Sequence, residues 1–82
     1  MNANGDNVTR IQAVFLRVLN IEVASPDQDV IDAGLLDSLG LIELLVALEQ
    51  EFGVQLDLEE LDLDDFRTVE RIGAMIEAAP AA

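Results

Sequence analysis

Thr9, Ser25, Ser38 and Thr68 are the chain's only hydroxyl side chains. The groups that could activate one of them are missing. There is no His, Cys, Tyr or Lys, and all four basic residues are Arg. A self-contained nucleophilic or acid–base site would have to be built from carboxylates alone. In 82 residues there is little room for a substrate cleft as well. Ser38 is the one hydroxyl whose position suggests chemistry. It lies between Asp37 and Leu39, at the head of a helical segment. Either Ser38 or Asp37 can serve as that helix's N-cap. If Asp37 caps, the Ser38 hydroxyl stands free in the first turn. The unpaired N–H groups and partial positive charge of a helix start would then stabilise a phosphate attached to it. That makes Ser38 a modification point, with the chemistry performed by another protein.

The carboxylates do not form a recognisable metal loop. An EF-hand starting at Asp27 would need a ligand where Ile31 stands and a Glu where Ser38 stands. One starting at Asp57 would need a Gly where Asp62 stands and a Glu where Thr68 stands. Neither fits, so no specific metal site is expected.

Ser38 must be positioned by the stretch from Gly34 to Phe52, Gly-Leu-Leu-Asp-Ser-Leu-Gly-Leu-Ile-Glu-Leu-Leu-Val-Ala-Leu-Glu-Gln-Glu-Phe. Stepping about 100° per residue from Ser38 puts Leu41, Leu44, Leu45, Leu48 and Phe52 on one stripe. Leu39, Ile42 and Val46 form a second stripe, flanked by Glu43 and Glu49. A helix at the edge of a small domain cannot easily bury both. The second stripe is either a docking surface for a partner with an apolar groove and a basic rim, or it is covered by a neighbouring loop. Gly53 supplies the C-terminal stop.

The remaining elements follow from periodicity and caps. Val8, Ile11, Phe15, Val18 and Leu19 mark one stripe of a first helix, capped by Asp6 or Asn7 and ending near Asn20. Residues 1–5 and 79–82 read as flexible ends. Residues 20–37 form a long connection with a turn at Ser25-Pro26-Asp27. In it Val30, Ile31, Leu35 and Leu36 are expected to tuck inward. Asp57 to Phe66 is an acid run punctuated by Leu58, Leu61, Leu63 and Phe66, read as one short or irregular helix. Thr68 caps a last helix with Val69, Ile72 and Ile76 facing inward and Met75 beside them. The expected fold is a single all-α domain, 1–82, with three main helices and one short one.

Composition sets the setting. Seventeen acids against four bases give a net charge of −13. Only Asp6, Glu70 and Glu77 fall outside the base-free interval between Arg17 and Arg67. Such a field repels nucleic acid and anionic membranes, and attracts basic partner patches. With 51% apolar residues the chain can build a core rather than remain disordered. No apolar run approaches the ~20 residues of a membrane span. No secretory signal is visible in Met1-Asn-Ala-Asn-Gly5, so a cytoplasmic monomer is expected.

These residues resemble the acyl and peptidyl carrier proteins. Asp37-Ser38-Leu39 is similar to their D-S-L attachment motif. Ile42-Glu43-Leu44, then Ala47 to Val54, are similar to the steps that follow it, and Thr68-Val69 to the start of their last helix. The likeness runs over roughly residues 8–78. It implies a four-helix bundle in which Ser38 carries 4'-phosphopantetheine, installed from coenzyme A by a phosphopantetheinyl transferase. It implies an acyl or aminoacyl thioester on the arm, and partners that include a loading ligase and downstream transferases or synthases with basic patches. Asp37, Leu39, Ile42, Glu43, Val46 and Glu49 would form the docking face. Gly40, Val46 and Gln50 depart from many fatty-acid carriers. Gly34-Leu-Leu-Asp-Ser38 looks more like the discrete D-alanyl, aminoacyl and secondary-metabolism carriers. The competing expectation is an acidic adaptor that docks through the same helix and is never modified.

Overall fold

The computed structural model describes residues 3–57 and 59–81, with side chains from residue 7 onward. Three α-helices follow in order: α1, Ala3–Leu19; α2, Ser38–Phe52; and α3, Val69–Ala78. A 3-10 helix, Leu63–Phe66, precedes α3. Helix α1 packs against both α2 and α3, and the 3-10 helix packs against α3. The small all-α fold expected from the sequence is therefore present.

Each helix has a local reason to begin or stop where it does. Asp37 is the N-cap of α2, and its Oδ1 accepts the Gly40 N–H at 2.7 Å. Gly53 ends α2 in the left-handed conformation, φ 64°, with its N–H on the Glu49 carbonyl at 2.9 Å. Thr68 caps α3 by accepting the Arg71 N–H at 3.1 Å. Asn20 closes α1 with φ 56°, and the next N–H, Ile21, reaches back to the Phe15 carbonyl at 3.2 Å. Asn is one of the few side chains that tolerate this turn. Asp62 and Asp65 form a reciprocal capping box around the 3-10 helix.

The core draws on every element. Ile11, Val14 and Phe15 come from α1, Leu44, Leu45 and Leu48 from α2, and Val69, Ile72 and Ile76 from α3. Phe66 fills the space beside α3, and Val23, Val30 and Leu36 enter from the long connection. No described polar or charged side chain is buried.

Several expectations need correction. Helix α1 starts at Ala3, ahead of the expected cap at Asp6 or Asn7. Gly5 costs a helix only ~1 kcal/mol, too little to stop one that continues amphipathic for several turns. Met1 and Asn2 lie outside the described residues. The inward face of α1 includes Val14, while Val18 is exposed. Both sit at the edges of the same stripe, and the packing of α2 and α3 against α1 decides between them. Leu35 is likewise exposed while Val30 and Leu36 are buried. The helix within the acid run is confined to Leu63–Phe66; residues 59–60 form a turn, Asp62 is extended, and Leu58 is outside the described residues. The tail expected to be loose is tied back: Gln55 N–H donates to the Pro80 carbonyl at 2.9 Å, and Val54 and Ala81 form an antiparallel bridge. Ala82 lies outside the described residues.

Candidate functional site

Because Asp37 takes the capping role, Ser38 is the first residue of α2 rather than its cap. Its side chain is exposed and its hydroxyl makes no hydrogen bond to any described residue. The capping alternatives left open by the sequence are thus resolved in favour of Asp37. The arrangement depends on Gly40. A Cβ there would lie 3.0 Å from Asp37 Oδ1 and 3.4 Å from Leu36 Cδ1. The third residue of the helix therefore sits close beneath the carboxylate that caps it. An exposed hydroxyl at a helix start, beside unpaired N–H groups, fits a phosphodiester attached at that oxygen.

The connection before Ser38 is held firmly. Gly34, with φ 73°, turns the chain back so that the Leu35 and Leu36 N–H groups both reach the Val30 carbonyl, at 2.9 and 3.2 Å. Leu36 is buried immediately before Asp37. An apolar depression of ≈ 360 Å³ opens beside Ser38, lined by Ile31, Leu36, Leu41, Ile42 and Leu63. Ile31 and Leu63 were not expected there. The surplus of Leu in the 58–66 run over what a short helix can bury was the available signal.

The two stripes of α2 separate as the periodicity predicts. Leu44, Leu45 and Leu48 are buried, with Leu41 and Phe52 half-buried. On the other side Leu39 is 67% exposed, Ile42 48% and Val46 47%. The long connection borders this stripe near Ile42 but does not cover it. Glu43 is exposed beside it. Glu49 differs from the expectation. It is half-buried, and its Oε2 accepts the Leu56 N–H at 3.1 Å, so it brackets the chain that leaves α2.

The opposite end of α2 carries the chain's first cation cluster. Arg10 grips Glu51 through Nη2 at 3.0 Å, donates to its carbonyl at 2.7 Å, and lies 4.3 Å from the Phe52 ring centroid. Arg17 reaches the other Glu51 oxygen at 3.4 Å. Hydrogen bonds from Arg10, then Arg17, hold the Glu51 carboxyl below its ordinary value. The second cluster is Arg67 with Asp29, Asp32 and Asp64. The Asp32 backbone N–H, helped by Arg67, holds the Asp29 carboxyl below its ordinary value, and the three carboxylates raise Arg67. Sequence reading did not find these partners, since the pairs Arg10–Glu51 and Arg67–Asp29 are 41 and 38 residues apart. Among the described residues there is no cluster of three potential metal ligands, and no described helix is long and apolar enough to cross a membrane.

Comparison with known proteins agrees with this geometry. Residues 9–76 match the family described as "Phosphopantetheine attachment site". The D-alanyl carrier proteins of Streptococcus pyogenes serotype M5 (strain Manfredo), serotype M49 (strain NZ131) and serotype M1 are each 48% identical to the chain over 46 residues. That stretch is 56% of this chain, and it spans 58% of the length of these relatives. The chain therefore belongs to the phosphopantetheine-attachment family of carrier proteins, which bear 4'-phosphopantetheine covalently and are not themselves enzymes.

Proposed function

We propose that Ser38 is the attachment point, and that the chain holds an acyl or aminoacyl group as a thioester and delivers it to partner enzymes. The observation that carries this reading is the free, exposed Ser38 hydroxyl at the first position of α2, with Asp37 rather than Ser38 capping the helix. The Ser38 oxygen would form a new bond to phosphorus as the pyrophosphate bond of coenzyme A breaks. Adenosine 3',5'-bisphosphate leaves, and the hydroxyl proton passes to a base on the transferase, because no described carboxylate of this chain is hydrogen-bonded to the Ser38 hydroxyl and Asp37 is engaged with the Gly40 N–H. Once bound, the arm supplies the thiol that the chain lacks. Helix α2 orients its root, and the first-turn N–H groups offset its phosphate charge.

Leu39, Ile42, Glu43 and Val46 form the proposed docking face, exposed and contiguous with Ser38. Asp37 and Glu49 border it, but each carboxylate already serves the chain internally. Partners are a phosphopantetheinyl transferase, a loading ligase and downstream transferases or synthases whose docking patches are basic. The resemblance to D-alanyl carriers favours an amino acid cargo over a long fatty acyl chain. The 3-10 helix stands as the minor fourth member of a four-helix bundle, and residues 1–82 act as one carrier domain, monomeric and cytoplasmic.

Incubation with coenzyme A and a broad-specificity phosphopantetheinyl transferase, followed by intact mass measurement, tests the assignment. The expected result is a gain of one phosphopantetheine, abolished by Ser38→Ala. No gain, or a gain that persists in Ser38→Ala, refutes it.

A further inference from the structure

Arg67 lies 29 residues after Ser38, at the joint between the 3-10 helix and α3, yet its contacts lead back to the attachment loop. Its Nη1 is 3.2 Å from Asp29 Oδ2 and 3.2 Å from Asp32 Oδ1. Its Nε donates to Asp64 within the 3-10 helix. Its backbone carbonyl accepts the Val30 N–H at 2.8 Å. Asp29 in turn accepts the Ile31 and Asp32 N–H groups at 3.0 and 2.9 Å, and Val30 holds Leu35 and Leu36. One residue thus fastens both walls of the depression beside Ser38. The loop wall carries Ile31 and Leu36, and the 3-10 wall carries Leu63.

We infer that Arg67 is a positioning residue for the attachment serine: a clasp that fixes the loop preceding Asp37 and Ser38 against the 3-10 helix, and so sets how Ser38 and its neighbouring depression are presented to the modifying enzyme. This rests on Ser38 as the attachment point. Every ion pair in the clasp is partly exposed, so its strength depends on ionic strength. Without the clasp the loop samples more arrangements, and only a fraction of them offers Ser38 productively. The exposed stripe of α2 is untouched by this change. The consequence therefore falls on turnover rather than on docking.

The test uses the full chain, coenzyme A and a broad-specificity phosphopantetheinyl transferase, with Arg67→Gln, Arg67→Lys and the milder surface change Asp32→Asn. For Arg67→Gln, kcat for modification of Ser38 is expected to fall on the order of three- to ten-fold, with KM within about two-fold of the unaltered chain. Arg67→Lys, which keeps one charge, recovers part of the loss, and Asp32→Asn falls between. Amide exchange gives an independent readout. In Arg67→Gln the Val30, Leu35 and Leu36 amides exchange faster, while those of Leu44 to Leu48 do not. Raising salt speeds exchange at the three loop amides in the unaltered chain and has no further effect in Arg67→Gln. Unchanged kcat in Arg67→Gln overturns the inference, as does faster exchange spread equally over α2, which would mark Arg67 as merely a stabilising residue. Failure of the unaltered chain to be modified at Ser38 would instead overturn the attachment assignment.

Discussion

Truncating one residue on each face of α2 should separate folding from recognition. Leu44 is fully buried in the core, whereas Val46, two residues on, is 47% exposed. Leu44→Ala removes three carbons from the core, worth ~0.8 kcal/mol each in transfer free energy, or ~2.4 kcal/mol. The cavity left behind raises the loss to ~3–5 kcal/mol, since a packed core relaxes only partly around it. A domain of this length has a total stability of only ~4–12 kcal/mol. At ~4–8 °C per kcal/mol, Leu44→Ala should lower the thermal midpoint by at least ~10 °C. Val46→Ala should shift the midpoint by no more than ~4 °C, because a surface change away from caps and clusters stays within ~0.5 kcal/mol. Ala is also the better helix former. Thermal unfolding followed by circular dichroism, with the apo chain at neutral pH and fixed salt, measures both. If Val46→Ala lowered the midpoint as far as Leu44→Ala, the outward stripe would be part of the core. The docking proposal would then lose its surface.

Glu43→Lys and Val46→Asp should each weaken binding to a transferase or loading ligase while leaving the circular dichroism spectrum unchanged; a titration against an immobilised partner shows this. Asp37→Ala should cost ~1 kcal/mol in urea unfolding through loss of the α2 cap, and Asp37→Asn should recover most of it. Gly53→Ala should cost ~1 kcal/mol by strain alone, since φ is 64° and nothing lies within 4 Å of the added carbon. Asp29 and Glu51 titrate below their ordinary values of 3.8 and 4.5 in the folded chain. Their contribution is therefore complete above those values and lost as pH falls through the lower folded ones. The urea midpoint should drop on acidification below about pH 4.5, and Glu51→Gln should flatten part of that drop.

The parts of the molecule legible in the sequence are those governed by neighbours along the chain. Thr68 and Gly53 mark helix ends through bonds three or four residues long, and the two faces of α2 follow from its own periodicity. The capping role of Asp37 was one of two local options, and the pressed position of Gly40 accompanies it. The unread parts depend on distant partners. Whether Val14 or Val18 faces inward is decided by where α2 and α3 land on α1. Leu63 reads as one more inward apolar residue until the folded connection brings Ile31 and Leu36 opposite it. Arg10, Arg17 and Arg67 look like isolated surface charges in a chain of acids, because nothing local says which carboxylate each will reach.

The placement of Arg10 and Arg17 has a mechanical consequence. Among the described residues, the ion pairs of α2 are both on Glu51, next to its last residue, and none lies at the end that bears Ser38. The two ends of α2, ~20 Å apart at 1.5 Å per residue, are therefore secured by different means. Charge on Glu51 holds one end, and the Asp37 cap with buried Leu36 holds the end that bears Ser38. Loss of Arg10 and Arg17 should loosen the far end and leave Ser38 presented as before.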